Sequence, residues 1–205
     1  MLWNDESVFK NKRIHVPFSS GKKYNLTVTK EGAGGSFSYT AMHLPIVRYA
    51  DGYFLNELSS DTIYKYSYKG DLIPFMTRTP EVSTMDAPSF LQSGIETSKY
   101  VFLTRVTVNE NDEQNMFPEE NWVYDKETGD LHAYEIVNED YPKAKVVLNS
   151  HLVNCDMEPG YGISRFNAGE LLDAYSRGEL YGGLKEMAAL LEEEDNDVLV
   201  LYKFR

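Results

Sequence analysis

The chain alternates short apolar runs with clusters of turn-forming residues, and residues 49–78 show this pattern most clearly. Apolar runs at 53–55, 62–66 and 72–75 are separated there by polar turns. β-Branched and aromatic runs bounded by Gly, Asp and Ser indicate strands joined by hairpins. The pattern therefore predicts an antiparallel meander and a mainly β fold.

The flanking segments give further expectations. Alternating apolar and polar residues predict strands at 14–18 and 24–29. Residues 30–38 are rich in glycine and predict a flexible loop, because they lack the Lys and the Ser or Thr that follow the glycines of a phosphate-binding loop. Residues 79–93, which contain several Pro and Ser, predict a connection between strands.

A second copy of the pattern follows the first. Residues 100–103 repeat the run at 53–55, and residues 121–131 repeat the strand, turn and strand at 61–72. A polar insertion at 109–121 accounts for the different spacing within the second copy. Repeats of ~40–50 residues that contain several strands are typical of propeller blades, although any two meanders share some of these features.

Two short helices and a last strand are predicted near the C-terminus. Asn167 is a good N-cap with Glu170 as its capping-box partner, and Gly178 can end the helix. A second helix is predicted at 184–193, where apolar residues at helical spacing should pack on the sheet. The nearly continuous apolar run at 198–204 predicts a strand that is buried on both faces.

Composition narrows the classes of function. The chain has 205 residues, a formal charge of −12 and a pI near 4.8. This charge argues against nucleic acid as a partner, because affinity for phosphates rests on Lys and Arg. No segment reaches the ~20 apolar residues of a membrane span, and the N-terminus lacks the apolar core of a secretory signal. The single cysteine, Cys155, cannot form an internal disulfide and is expected to be a buried thiol.

The sequence offers only weak candidates for catalysis or metal binding. Its histidines lack metal-site spacing, and its carboxylate-rich segment lacks the residue order of a calcium-binding loop. Neither a nucleophile elbow nor a base near the cysteine is present in the sequence. We therefore predict no catalytic residue, no cofactor and no metal site. The residues concerned are His15, His43, His132 and His151, and Asp112, Glu113, Glu119 and Glu120.

Three motifs support a resemblance. These are DTIY-x₄-KGDLIP at 61–74, W-x-YD-x-x-TGDL at 122–131 and the ending LKEMAALLEEEDNDVLVLYKFR. Residues 49–205 resemble the C-terminal half of the six-bladed β-propeller proteins of gut Bacteroides-type bacteria, a largely uncharacterised family. The resemblance implies a lipoprotein or export signal elsewhere in the protein and a location in the cell envelope or periplasm.

The resemblance also implies a partial propeller with two short helices near its C-terminus. We expect a single domain, 1–205, with about three blade-like units at 14–80, 94–142 and 145–205. Six blades need more residues than this, so we expect either a fragment of a longer protein or an arc that a second copy completes. A compact β-sandwich with a helical cap is the alternative.

The expected function is that of a non-catalytic binding or scaffold module. Propellers bind ligands with the loops of their ring faces, so exposed tyrosines such as Tyr141 and Tyr161 are candidate contacts for a glycan, peptide or protein ligand. The alternative is a hydrolase or lyase with carboxylates and a divalent metal at the channel. Fold alone does not decide between these functions.

Overall fold

The structure, a computed structural model, describes residues 24–32, 35–146, 148 and 160–204. These residues form a mainly β, antiparallel fold with two short α-helices, α1 (Ala168–Ser176) and α2 (Gly182–Ala188), and a 3-10 turn at Val82–Thr84. The strands are β1 Thr27–Gly32, β2 Gly35–Thr40, β3 Ile46–Tyr49, β4 Gly52–Leu55, β5 Thr62–Ser67, β6 Leu72–Thr77, β7 Ser89–Glu96, β8 Tyr100–Thr107, β9 Glu119–Asp125, β10 Leu131–Ala133, β11 Ile136–Asn138, β12 Tyr141–Val146, β13 Tyr161–Phe166 and β14 Val198–Lys203.

Two four-stranded antiparallel meanders dominate the fold. The first sheet has the strand order β3-β4-β5-β6, and the second sheet has the order β10-β9-β8-β7. Each strand therefore pairs with its neighbour in sequence, which agrees with the meander predicted for residues 49–78. The remaining described strands form three two-stranded sheets, β1-β2, β11-β12 and β13-β14.

The sequence repeat occupies equivalent positions in the two meanders. The repeated apolar runs lie on β4 and β8, the second strand of each sheet, and the repeated turns precede β6 and β10, the fourth strands. Gly70 and Gly129 both adopt positive φ there, 92° and 80°, a conformation that glycine adopts without steric cost. The predicted insertion falls between β8 and β9, in a connection of 11 residues at 108–118 against six at 56–61.

The two four-stranded sheets pack face to face. Val47, Phe54 and Ile63 of the first sheet are buried against Val101 and Leu103 of the second. Burying a side chain of this size contributes about 1.5–3 kcal/mol, so this cluster stabilises the contact between the sheets. The first strands of the two sheets, β3 and β7, lie side by side.

The helices close a separate C-terminal core. Leu171, Leu184 and Ala188 of the helices pack with Val146 of β12 and Phe166 of β13. Residue 167 caps α1 as predicted: its side-chain oxygen accepts a hydrogen bond from the backbone amide of Glu170. The second helix was predicted at 184–193, which is too long and too late in the chain. The observed helix α2 begins at Gly182 and ends at Ala188, before the acidic turn.

Two sequence-based expectations about strands are wrong. Residues 30–32 and 35–38 belong to β1 and β2, which pair with each other, and they do not form a flexible loop. Hydroxyl side chains also pair across the two strands, Thr27 with Thr40 and Thr29 with Ser38. The last strand is buried on one face only. Its Leu199 and Leu201 are 61% and 57% exposed, because no second layer of the described residues covers that face. The predicted strand at 14–18 lies outside the described residues.

The sheets of the described residues do not close into a ring or barrel. The four-stranded sheets span residues 46–77 and 89–133. The predicted division of the chain into three blade-like units stays a prediction, as does their radial arrangement about an axis.

Candidate binding site at the hairpin end of the two sheets

The two four-stranded sheets share one end, which we call the hairpin end. Short turns connect the strands there, and Lys65 near the end of β5 reaches Glu96 at the end of β7, so the ends of the two sheets coincide. The turns are 50–51, 68–71, 97–99 and 126–130.

Glu96 is the centre of a charged cluster at this end. Its side chain is only 7% exposed. Its Oε1 atom accepts hydrogen bonds from Nζ of Lys65 at 2.9 Å and from Nζ of Lys126 at 3.3 Å. Lys126 also donates to the backbone oxygen of Thr97 at 2.7 Å. Because Lys65 belongs to the first sheet and the other residues to the second, the cluster holds the two sheets together.

Aromatic rings surround the ammonium group of Lys65. Its Nζ lies 4.6 Å from the ring centroid of Tyr49, 4.9 Å from that of Phe54 and 4.7 Å from that of Phe75. Cations are attracted to the faces of such rings, most strongly where water is excluded. Burial raises the pKa of Tyr49, and the carboxylate of Glu96 raises it further, so this phenol keeps its proton beside the cluster.

The cluster can bind groups that accept hydrogen bonds. Two ammonium groups share one carboxylate, which leaves one net positive charge within this group of three residues, while the turns of the same end also carry acidic residues such as Asp71 and Asp130. The side chains of Lys65 and Lys126 are 22% and 30% exposed. An ammonium group has three donors, of which Lys65 uses one and Lys126 uses two in the contacts given above. Tyr68 and Tyr100, 57% and 38% exposed, place aromatic rings at the same end.

A cavity of about 160 Å³ lies beside the second sheet. Phe102 and Ile95 contribute apolar surface to it, and Gln92, Glu119 and Tyr134 contribute polar groups. Burial raises the pKa of Tyr134 to about 12, so its hydroxyl is a neutral donor at physiological pH. The cavity is large enough for a few ordered water molecules or a small ligand.

The structure places the two sequence-predicted contact residues elsewhere. Tyr141 begins β12, and its half-buried ring packs 6.1 Å from that of Phe166 in the C-terminal core. Tyr161 begins β13 and is also half-buried, with Nζ of Lys203 5.6 Å from its ring centroid. Neither belongs to the hairpin end, and their contact with a ligand stays a prediction.

The candidate metal ligands are dispersed or engaged with the protein. Asp112 accepts hydrogen bonds from the amides of its own loop, Glu113 pairs with Lys30, and Glu120 pairs with Arg105. No group of three or more His, Cys, Asp or Glu suited to a metal occurs within the described residues.

Of the four histidines and the single cysteine, the structure describes His43 and His132. His43 bonds through Nε2 to the backbone oxygen of Asn56 at 2.6 Å, and burial lowers its pKa. His132 is exposed on β10. His15, His151 and Cys155 lie outside the described residues.

No known protein family matches the chain. No curated protein sequence matches it either. Among solved structures, one that resembles it is a Bacteroides fragilis protein named as exported, at 14% identity and a TM-score of 0.47. The match covers 78% of this chain, which corresponds to 49% of that protein, or about half its length. Within the described residues, no helix is both long and apolar enough to span a membrane.

Sequence reasoning missed the charged cluster at the hairpin end. Lys65 is a charged residue on the inward face of a strand, between Tyr64 and Tyr66, and this position could have identified it. Glu96 and Lys126 gave no such signal, because both stand outside the apolar runs of the sequence, where charged residues are common. Only the face-to-face packing of the sheets brings the three residues together.

Proposed function

We propose that this chain is a non-catalytic binding or scaffold module of β-propeller type, from a cell-envelope or exported protein. The observation that carries the proposal is the pair of four-stranded antiparallel sheets with repeated segments at equivalent positions. Propeller blades are sheets of this kind, arranged around a central channel. The packing of Phe54 against Val101 and the position of β3 beside β7 fit such an arrangement. The location rests on the resemblance of the C-terminal motif.

We propose the hairpin end as the binding surface. Its ligand would be a glycan, a peptide or the surface of a protein that offers oxygen acceptors to Lys65 and Lys126. Exposed rings such as Tyr68 would contact the apolar face of the same ligand, as tyrosines do at many interfaces. The burial of Glu96 and the rings around Lys65 hold the donors in place before a ligand arrives, which reduces the entropy lost on binding.

A binding screen with matched variants tests this surface. The protein is applied to an array of neutral and acidic glycans and of peptides, and the affinity for each probe retained is measured. Tyr68→Ala and Lys126→Met should each weaken binding at least about tenfold, the effect of losing one favourable contact of about 1.4 kcal/mol. Tyr175→Ala, which changes a tyrosine 40% exposed on α1, is the control and should bind as the wild type does. Equal affinities for all four proteins would contradict the proposed surface.

The same screen tests the tyrosines predicted from sequence. Tyr161→Ala tests one of them. Tyr141 packs in the core, so Tyr141→Phe is the better variant there, because it keeps the ring and removes only the hydroxyl. If both variants bind every retained probe as the wild type does, neither tyrosine contacts the ligand.

Self-association that completes the ring is a further part of the proposal. The outer face of the β13-β14 sheet carries the exposed residues Leu199 and Leu201, and a sheet of a second copy could cover it. Leu201→Lys would place a charge on this face and should abolish such an assembly, which size-exclusion chromatography with light scattering would detect.

A further inference from the structure

Strand β2 lies at the edge of its sheet in the described part of the chain. It pairs with β1 and with no other described strand, and all six of its residues, Gly35–Thr40, are exposed. In an antiparallel ladder, the N–H and C=O groups of alternate residues point away from the paired strand. About half of the backbone polar groups of β2 therefore face outward along this edge.

This edge lacks the features that usually protect edge strands. Such strands commonly carry a charged residue or a proline, or are very short. β6 contains Pro74, β10 has three residues and β14 ends with Lys203. β2 has six residues, GSFSYT, with neither a charge nor a proline. Its backbone is thus open to pairing with another strand.

The two faces of the hairpin differ in chemistry. One face carries hydroxyl groups, with Thr27 bonded to Thr40 at 3.1 Å and Thr29 bonded to Ser38 at 3.0 Å. The other face of β2 carries Phe37 and Tyr39, which are 54% and 47% exposed. Aromatic and hydroxyl side chains thus alternate along β2. A partner strand with the same alternation, paired in a matching register, would extend both the aromatic and the hydroxyl face.

The strand that best meets this condition is β2 of a second copy. About a two-fold axis at Ser38, antiparallel pairing places the partner's Tyr39 opposite Phe37 and the partner's Ser38 opposite Ser38. Aromatic rings then lie beside rings and hydroxyl groups beside hydroxyl groups, which are favourable cross-strand pairs. Although the chain has a formal charge of −12, β2 is uncharged, so this pairing places no like charges opposite each other.

We propose that two copies of this chain associate through β2, forming a continuous four-stranded antiparallel sheet with one aromatic and one hydroxyl face. The interface is isologous, as expected for a two-fold dimer. It is a different surface from the hairpin end and from the outer face of β13-β14. The edge of a six-residue strand buries less area than a typical stable interface, so the dimer is weak and depends on concentration.

Sedimentation velocity tests the proposal. It is measured at protein concentrations from about 10 μM to about 1 mM, the range in which a weak interface should form. The wild type should shift from the monomer mass of 23.5 kDa toward twice that mass as concentration rises. Ser38→Lys puts a charge at the centre of the pairing edge and should stay monomeric throughout. Thr29→Lys is the matched control, because it adds the same charge to the same face on β1, one strand away from the edge, and should dimerise as the wild type does.

The outcomes separate this interface from the others. Circular dichroism and thermal unfolding establish that each variant is folded before its mass is interpreted. A wild type that stays monomeric at the highest concentration overturns the proposal, as does a Ser38→Lys variant that dimerises normally. Dimerisation lost in Leu201→Lys and kept in Ser38→Lys would assign self-association to the β13-β14 face, which supports ring completion and rejects the β2 interface.

Discussion

Replacing Glu96 by glutamine tests whether the charged cluster holds the two sheets together. The change keeps the size and shape of the side chain and removes its charge. In the wild type, the buried carboxylate accepts hydrogen bonds from the ammonium groups of Lys65 at 2.9 Å and Lys126 at 3.3 Å. In Glu96→Gln, two ammonium groups between the sheets lose the negative charge that they share.

The expected loss of stability is about 2 kcal/mol. Hydrogen bonds to charged groups contribute roughly 1.5–3 kcal/mol each, and removing one partner of a fully buried ion pair costs roughly 3–5 kcal/mol. The loss at this site should be smaller, because the lysines are 22% and 30% exposed and can still bind water, and the glutamine oxygen still accepts.

Urea unfolding followed by circular dichroism measures the effect. With a slope of about 2 kcal/mol/M, a loss of 2 kcal/mol lowers the midpoint by about 1 M. The matched control is Glu120→Gln, because Glu120 pairs with Arg105 on the surface, with side chains 48% and 45% exposed. Exposed pairs contribute at most about 1 kcal/mol, so the control should change the midpoint much less.

A double-mutant cycle with Lys65→Met isolates the contact itself. The coupling energy between the Glu96 and Lys65 changes should reach about 1 kcal/mol, since residues in direct contact do not act additively. The reasoning fails if Glu96→Gln is as stable as Glu120→Gln, or if the two changes are simply additive.

Three further predictions concern the C-terminal core, the helix cap and one buried phenol. Leu171→Ala should cost about 3 kcal/mol in the urea assay, because Leu171 is fully buried, whereas Leu190→Ala, at a residue 81% exposed, should cost almost nothing. Asn167→Ala should cost about 1 kcal/mol and Asn167→Ser less, since both variants lose the bond from the Asn167 amide to Asp197 but serine keeps a capping oxygen; equal losses would rule out capping. The pKa of Tyr134 rises from 10.0 to about 12, so the contribution of its neutral hydroxyl to stability should be complete below pH 10 and should fall by up to about 3 kcal/mol between pH 10 and 12. Tyr134→Phe should lose less stability over that range, and an equal loss would mean that Tyr134 ionises normally.

The sequence predicted those parts of the fold that depend on local pattern. The repeated apolar runs predicted two meanders, because alternation and turn residues act over a few neighbouring positions. Asn167 predicted the start of α1 because a cap needs only one side chain and the next turn of backbone. Part of β1 was predicted as a strand at 24–29, but β2 was missed, since the glycines beside it favour loops and its hydroxyl groups meet their partners only across the ladder.

The candidate site depends on contacts between distant parts of the chain. Glu96 lies 31 residues from Lys65 and 30 from Lys126, and no local pattern specifies which charges will meet. The one-sided burial of β14 was missed for a related reason. An apolar run shows that a strand can be buried, but the presence of a second layer decides whether both faces are covered.

The unequal connections at the two ends of the sheets have a practical consequence for protein engineering. The turn at 50–51 has only two residues and leads directly into Gly52, where a methyl group would clash with the backbone oxygen of Tyr66, so a longer turn would disturb a tightly packed strand start. The connection at 108–118 already holds five more residues than its counterpart at 56–61 while the strands beside it keep their pairing. A grafted epitope or a randomised library should therefore be tolerated at 109–115 and rejected at 50–51, which makes one rim of this scaffold available for display.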